Sequence, residues 1–209
     1  RDASPPSVTR SAFPFSTTRV LEFAEIQMPI VLALPLLGDA ETGRIAASLA
    51  IIQGFLLLPI AIFQRLLRPR FHEWAREDPD RLRRIALIGT SSMLAIGAGL
   101  GLLTRPLSSD LLAGLFGSDF APASSFLDSV LLVLPIWFAS IAINSTLVSH
   151  RLADLRLGTQ VIAVGILIVT PLVMSSALGS NGIIWGMIGC QGFLLVSGVT
   201  LLLFGQTKD

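Results

Sequence analysis

From Leu157 to Thr207 the chain runs 51 residues without an Asp, Glu, Lys, Arg or His. A helix exposed to water needs a polar face, so a stretch this long without charge excludes ordinary soluble helices. Charge is scarce throughout, at 14% of residues, against about 25% in soluble domains. Cysteine is nearly missing as well. Cys190 stands alone in the last apolar segment, which excludes a disulfide within the chain and leaves a small packing residue. Phosphate-loop, HExxH and Cys/His-cluster patterns are absent. Soluble kinase, glycosyltransferase and hydrolase sites are therefore disfavoured, as is ATP hydrolysis, and neither a cofactor, a metal nor a nucleic-acid partner is expected.

What is present is apolar sequence. Hydrophobic residues make up 52% and the mean hydropathy is +0.74. A bilayer core about 30 Å thick takes roughly 20 apolar residues per helix. The turn cluster Gly179-Ser180-Asn181-Gly182 divides the uncharged run into two such helices, about 157–177 and 183–204. Four further spans read as about 13–38, 45–64, 85–104 and 126–149, with Pro59 inside the second. The sequence thus predicts an all-α integral membrane protein, a six-transmembrane-helix bundle over 19–205.

The connecting stretches are short. Arg1 to Thr18, rich in Ser, Thr and Pro, reads as a cytoplasmic loop or linker. No signal peptide is recognisable at the head, and the chain is expected to be one part of a larger protein. Arg105 to Pro122 reads as a loop with an apolar patch, Leu111 to Phe116, and Ser149 to Arg156 as a polar link. Basic residues then orient the bundle. With the head inside, 13 of the 15 Lys and Arg fall on the cytoplasmic side and only Arg44 and Arg105 fall outside. Both ends of the chain are expected in the cytoplasm.

Between the second and third spans, 65–84 is a cytoplasmic amphipathic link. Phe71, Trp74 and Ala75 fall at i, i+3 and i+4, with Arg and Glu on the other face, the pattern of a helix lying in the headgroup layer. Asp78-Pro79-Asp80 is expected to cap the next helix. The stretch reads as a positive-inside anchor, with gating or headgroup binding as the alternative. His72 and His150 lie on separate links and read as interfacial polar residues.

Ionisable groups at membrane depth are site candidates, and the first span offers Arg19, Glu22 and Glu25. Spaced three apart, they share one side of a helix. With Gly38 at the outer edge, the 13 residues back to Ile26 span about 20 Å. That places Glu25 roughly 10 Å inside the cytoplasmic boundary. Two readings stand open: an ion-pair ladder at the cytoplasmic mouth, or a proton- or substrate-responsive carboxylate facing a cavity, with Glu25 the better candidate. Gln27 joins these as a substrate- or ion-pathway candidate. Pro29, Pro35, Pro59 and Pro135 are helix-bending candidates, each removing one backbone donor, and Pro171 bends the fifth span in the same way. Gly89, Gly97, Gly99 and Gly101, with Gly182, Gly186, Gly189 and Gly192, permit close helix contacts. Gln53, Asn144, Gln160 and Gln191 suit interhelical hydrogen bonds or, alternatively, substrate contact.

Four stretches carry a family likeness. Leu36-Leu37-Gly38-Asp39-Ala40-Glu41-Thr42-Gly43 joins two spans. Leu66-Leu67-Arg68-Pro69-Arg70-Phe71 is followed by the charged helix start 76–84. Leu115-Phe116-Gly117-Ser118-Asp119-Phe120-Ala121-Pro122-Ala123 precedes the fourth span, and the basic turn His150 to Arg156 follows it. Together, over about 20–204, they resemble the polysaccharide flippases of the MATE-like (multidrug/oligosaccharidyl-lipid/polysaccharide) superfamily. The resemblance implies the C-terminal six-helix lobe of a two-lobed transporter. It also implies alternating access that flips a lipid-linked oligosaccharide of the polyprenyl-pyrophosphate type across a bacterial inner membrane. Its partners would be membrane lipids and the missing N-terminal lobe or a second copy. The resemblance also admits an ion-coupled multidrug/toxin antiporter of the same superfamily. From outside the transporter class, two alternatives remain: a non-transporting membrane scaffold subunit of a polysaccharide synthesis complex, and a membrane-embedded transferase. No paired His/Asp or Arg/His set marks the latter.

Overall fold

The computed structural model describes the backbone of residues 5–147 and 150–204, and side chains at 17, 18, 20–147 and 155–204. These residues form helices and turns only. In chain order they are α1 (Pro5–Leu37), α2 (Asp39–Pro59), α3 (Arg68–Glu77), α4 (Pro79–Thr104), α5 (Ser108–Phe116), α6 (Ser124–Leu131), α7 (Leu134–Thr146), α8 (His150–Leu178) and α9 (Asn181–Phe204). Five helical stretches are long and apolar enough to cross a membrane, and the bent pair made of 118–131 and α7 provides a sixth. Their outer surface agrees with that reading. Leu103, Val173, Val196 and Phe204 are each at least 66% exposed, an apolar surface that water would not tolerate but lipid covers.

Local sequence sets the breaks. Gly38 and Gly179 adopt positive φ, 83° and 56°, a region that other residues avoid, and the chain reverses there between α1 and α2 and between α8 and α9. Asp78 accepts a hydrogen bond from the Arg81 backbone N–H at 2.9 Å and caps α4, as its position before Pro79 leads one to expect. After Pro59 the second span rewinds into a π-turn, Ile60–Leu66. Pro59 has no N–H for the Phe55 carbonyl, and the Leu67 N–H reaches back five residues to Ile62. The fourth span bends by 49° between α6 and α7, where Pro135 leaves the Leu131 carbonyl without its intrahelical donor.

Three expectations need correction. The stretch up to Thr18 is not a loop from end to end, because α1 already begins at Pro5. Prolines in a first turn forfeit no hydrogen bond, since those N–H groups have no intrahelical acceptor. The segment 105–122 is likewise mostly helical, through a 3₁₀ turn, α5 and a second 3₁₀ turn. The apolar face of α3 packs partly inward, with Trp74 and Ala75 half-buried. Phe71 is fully buried, with its ring 6.2 Å from Phe63 and 6.0 Å from Trp74.

Helices α8 and α9 pack as a hairpin, with α1 against α8, and α7 against both α9 and α4. The core between them holds Ile52, Leu56, Leu134, Phe138 and Leu194. Close approach is made possible by glycine. A Cβ at Gly97 would lie 2.8 Å from the Pro135 Cα, and one at Gly101 2.8 Å from the freed Leu131 carbonyl oxygen. Helix α4 therefore lies directly on the bend of the fourth span.

Candidate functional site

Between them, α1, α2 with its π-turn, α7, α8 and α9 line a half-open cavity of about 300 Å³. One wall is apolar, with Ile26, Leu56, Ile60, Trp137, Ile141 and Leu194. The other is polar, with Glu22, Glu25, Gln64, Ser140, Asn144, Ser145, Arg156, Gln160 and Gln191. Leu56, Ile60 and Gln64, spaced four apart along the second span, share one face and meet the same space.

Glu25 is the centre of the polar wall. It is 7% exposed and accepts hydrogen bonds from two side-chain amides, Gln160 Nε2 on α8 and Gln191 Nε2 on α9, the latter at 3.4 Å. The network continues into α7. The Ser140 hydroxyl shares its one proton between Gln191 Oε1 at 2.6 Å and the Trp137 carbonyl of its own helix, 2.9 Å away. One turn on, Asn144 Nδ2 donates to the Ser140 carbonyl at 2.8 Å and to the Leu194 carbonyl of α9 at 3.4 Å. Asn144 Oδ1 is buried without a hydrogen-bond partner and lies against Gly198 of α9. Four helices are thus joined through one carboxylate.

A second tie lies one turn away on α1. Glu22 and Arg156 form an ion pair of 2.7 Å between α1 and α8, with side chains 23% and 15% exposed. The cavity lining therefore carries two carboxylates and one guanidinium.

Sequence candidates divide accordingly. Glu22 and Glu25 both line the cavity, whereas Gln27 is half-buried outside it. The Arg19 side chain lies outside the described residues, and so do those of His150 and Arg151. Glu22 pairs across to α8, which the ladder reading along α1 did not include. Pro29 is buried one turn after Glu25, and it deprives the Glu25 carbonyl of its intrahelical donor. Pro59 and Pro135 sit at the π-turn and at the bend, and Pro35 is exposed near the end of α1. The first span is not alone in carrying an ionisable group. Asp128 in α6 has a buried Oδ1 with no hydrogen-bond partner, although it is not part of the cavity. Sequence reasoning did not identify Trp137, Ser140 and Ser145 as lining residues; only the fold brings them to Glu25. Among the described residues no cluster of His, Cys, Asp and Glu has the makings of a metal site.

Compared with known protein families, with curated proteins and with solved structures, the chain matches none.

Proposed function

We propose that the chain is one lobe of a membrane transporter working by alternating access, with Glu25 as the group whose occupancy is coupled to movement. The observation that carries this reading is a carboxylate buried in the wall of a cavity between five helical segments. An ionisable group at membrane depth is destabilising, so a bundle built only for packing would have an apolar residue there. Glu25 is bonded to amides on α8 and α9 and through Gln191 to α7. Loading it with a proton or a small cation therefore changes bonds to three other helices at once. The bend before α7 and the π-turn after Pro59 are compliant points through which such a change can move the helices.

The cargo we propose is a lipid-linked oligosaccharide of the polyprenyl-pyrophosphate type, exported across a bacterial inner membrane, with both ends of this chain cytoplasmic. That part rests on the motif likeness of 36–43, 66–84 and 115–123 and on the distribution of arginines. The cavity itself is the coupling site and not the cargo site. The lining is acidic in composition and its one guanidinium is already paired with Glu22, so it offers a pyrophosphate no surplus positive charge, and 300 Å³ lies at the small end of ligand pockets. The cargo path then runs along the face that meets a second six-helix lobe, supplied by the rest of a longer protein or by another copy. The same acidic balance favours a second reading, an ion-coupled exporter of cationic compounds.

The test is Glu25→Gln in the full-length protein. Export of surface polysaccharide should fall at least about tenfold, the loss of one essential protonation or ion site, with the protein still inserted at normal abundance. Unchanged export removes Glu25 from the mechanism. Loss of cationic-dye efflux with polysaccharide export intact selects the second reading.

A further inference from the structure

We propose that the arginine-bearing link between α2 and α4 is a docking surface for anionic phospholipid headgroups, held by guanidinium–phosphate contacts and not by insertion into the acyl layer. This stands apart from whatever the cavity carries. Segment 65–84 has seven arginines against four carboxylates and no lysine. Arg65, Arg70, Arg76, Arg81, Arg83 and Arg84 are all exposed. Among the described residues none of them is in an ion pair, although Glu73, Glu77, Asp78 and Asp80 lie within the same stretch. The guanidiniums are therefore available to an outside anion.

The type of basic residue narrows what that anion is. A topology signal is served equally by Lys or Arg, yet here every position is Arg. Its planar fork matches the two oxygens of a phosphate, whereas an ammonium acts as a point charge. Position narrows it further. The stretch is bracketed by the end of the second span at Leu66 and the start of the third at Pro79, which sets it at headgroup level. Phe71 of α3 is already spent inside the bundle, on Phe63 and Trp74. Arg81 stacks over the Trp74 ring, 5.1 Å from its centroid, which closes the aromatic edge with a cation. Trp74 and Ala75 are half-buried and the exposed Leu66 belongs to the end of the second span, so the attachment of α3 itself is electrostatic.

The experiment reconstitutes the full-length protein in nanodiscs of phosphatidylcholine with or without phosphatidylglycerol and measures thermal unfolding. The anionic lipid should raise Tm by at least about 4 °C at low salt. That gain should shrink by more than half in 1 M salt, where screening acts within about 3 Å. Arg70→Gln, Arg76→Gln, Arg83→Gln and Arg84→Gln combined should abolish the gain. The corresponding Lys variant, which preserves the topology charge, should show a reduced gain and covers the case in which the Gln variant does not insert. A gain that survives 1 M salt or the Gln substitutions, or that is missing in the wild type, overturns the proposal. So does an equal gain from inorganic phosphate added to phosphatidylcholine discs, since that assigns the surface to free anions.

Discussion

Gln160 on α8 donates its side-chain amide to the Glu25 carboxylate on α1, across 135 positions of sequence. Gln191 on α9 reaches the other carboxylate oxygen. The two amides do for Glu25 what water does at a surface, and they tie its state to two further helices. Folding and coupling thereby become separable by substitution.

The first prediction uses that separation. Glu25→Gln keeps size and exchanges one of the two acceptor oxygens for a donor, which Gln160 meets by turning its amide over, so Tm in detergent should stay within about 2 °C of wild type while export is lost. Gln160→Leu leaves a buried carboxylate oxygen without its main donor. It should destabilise the bundle by about 1–2 kcal/mol, read as a lowered Tm in the same assay.

The Glu22–Arg156 pair is partly buried, at 23% and 15% exposure, so it should outweigh an exposed surface pair of about 0–1 kcal/mol. Arg156→Gln alone leaves Glu22 without this cation and should destabilise by about 2–3 kcal/mol. Adding Glu22→Gln should recover at least about 1 kcal/mol of that loss. A double-mutant cycle of thermal or chemical unfolding measures the coupling, and strict additivity contradicts it.

Glycines on α4 should respond according to what faces them. Gly97→Ala and Gly101→Ala place a Cβ 2.8 Å from the backbone of the fourth span and should each destabilise by about 1–3 kcal/mol. Gly99→Ala has nothing within 4 Å and should be neutral or stabilising by up to about 1 kcal/mol through helix propensity. Unfolding of the three variants side by side is the check.

Much of the architecture was legible because its signals are local. The turn at 179–182, the cap at Asp78 and the long uncharged runs depend on neighbours in sequence, and α9 and α4 lie where those signals put them, whereas α8 already begins at His150, within the stretch read as a polar link. Less legible was anything decided by packing. The apolar stripe of α3 has the period of a surface-seeking helix, and only the contact with Phe63 reveals that it faces inward. Pro135 announced a bend in the fourth span, but not that Gly97 and Gly101 would bring α4 onto it. In the site, Glu22 and Glu25 stood out as charges in an apolar span. Gln160 and Gln191 stood out as single amides, but their convergence on Glu25 follows from the packing of α1, α8 and α9. Trp137 and Ser140 carry no signal of their own in an apolar helix.

The most direct measurement is water access to the cavity. With Cys190, buried in α9, replaced by Ser, a single cysteine is introduced at cavity-lining Ile141, and at outward-facing Leu103, 73% exposed, as the control. A membrane-impermeant maleimide is applied to each face of sealed vesicles holding the full-length protein. Under alternating access, Ile141→Cys is labelled from both faces while Leu103→Cys, shielded by lipid, stays inert. Labelling of Ile141→Cys from one face only, or from neither, contradicts alternating access at this site.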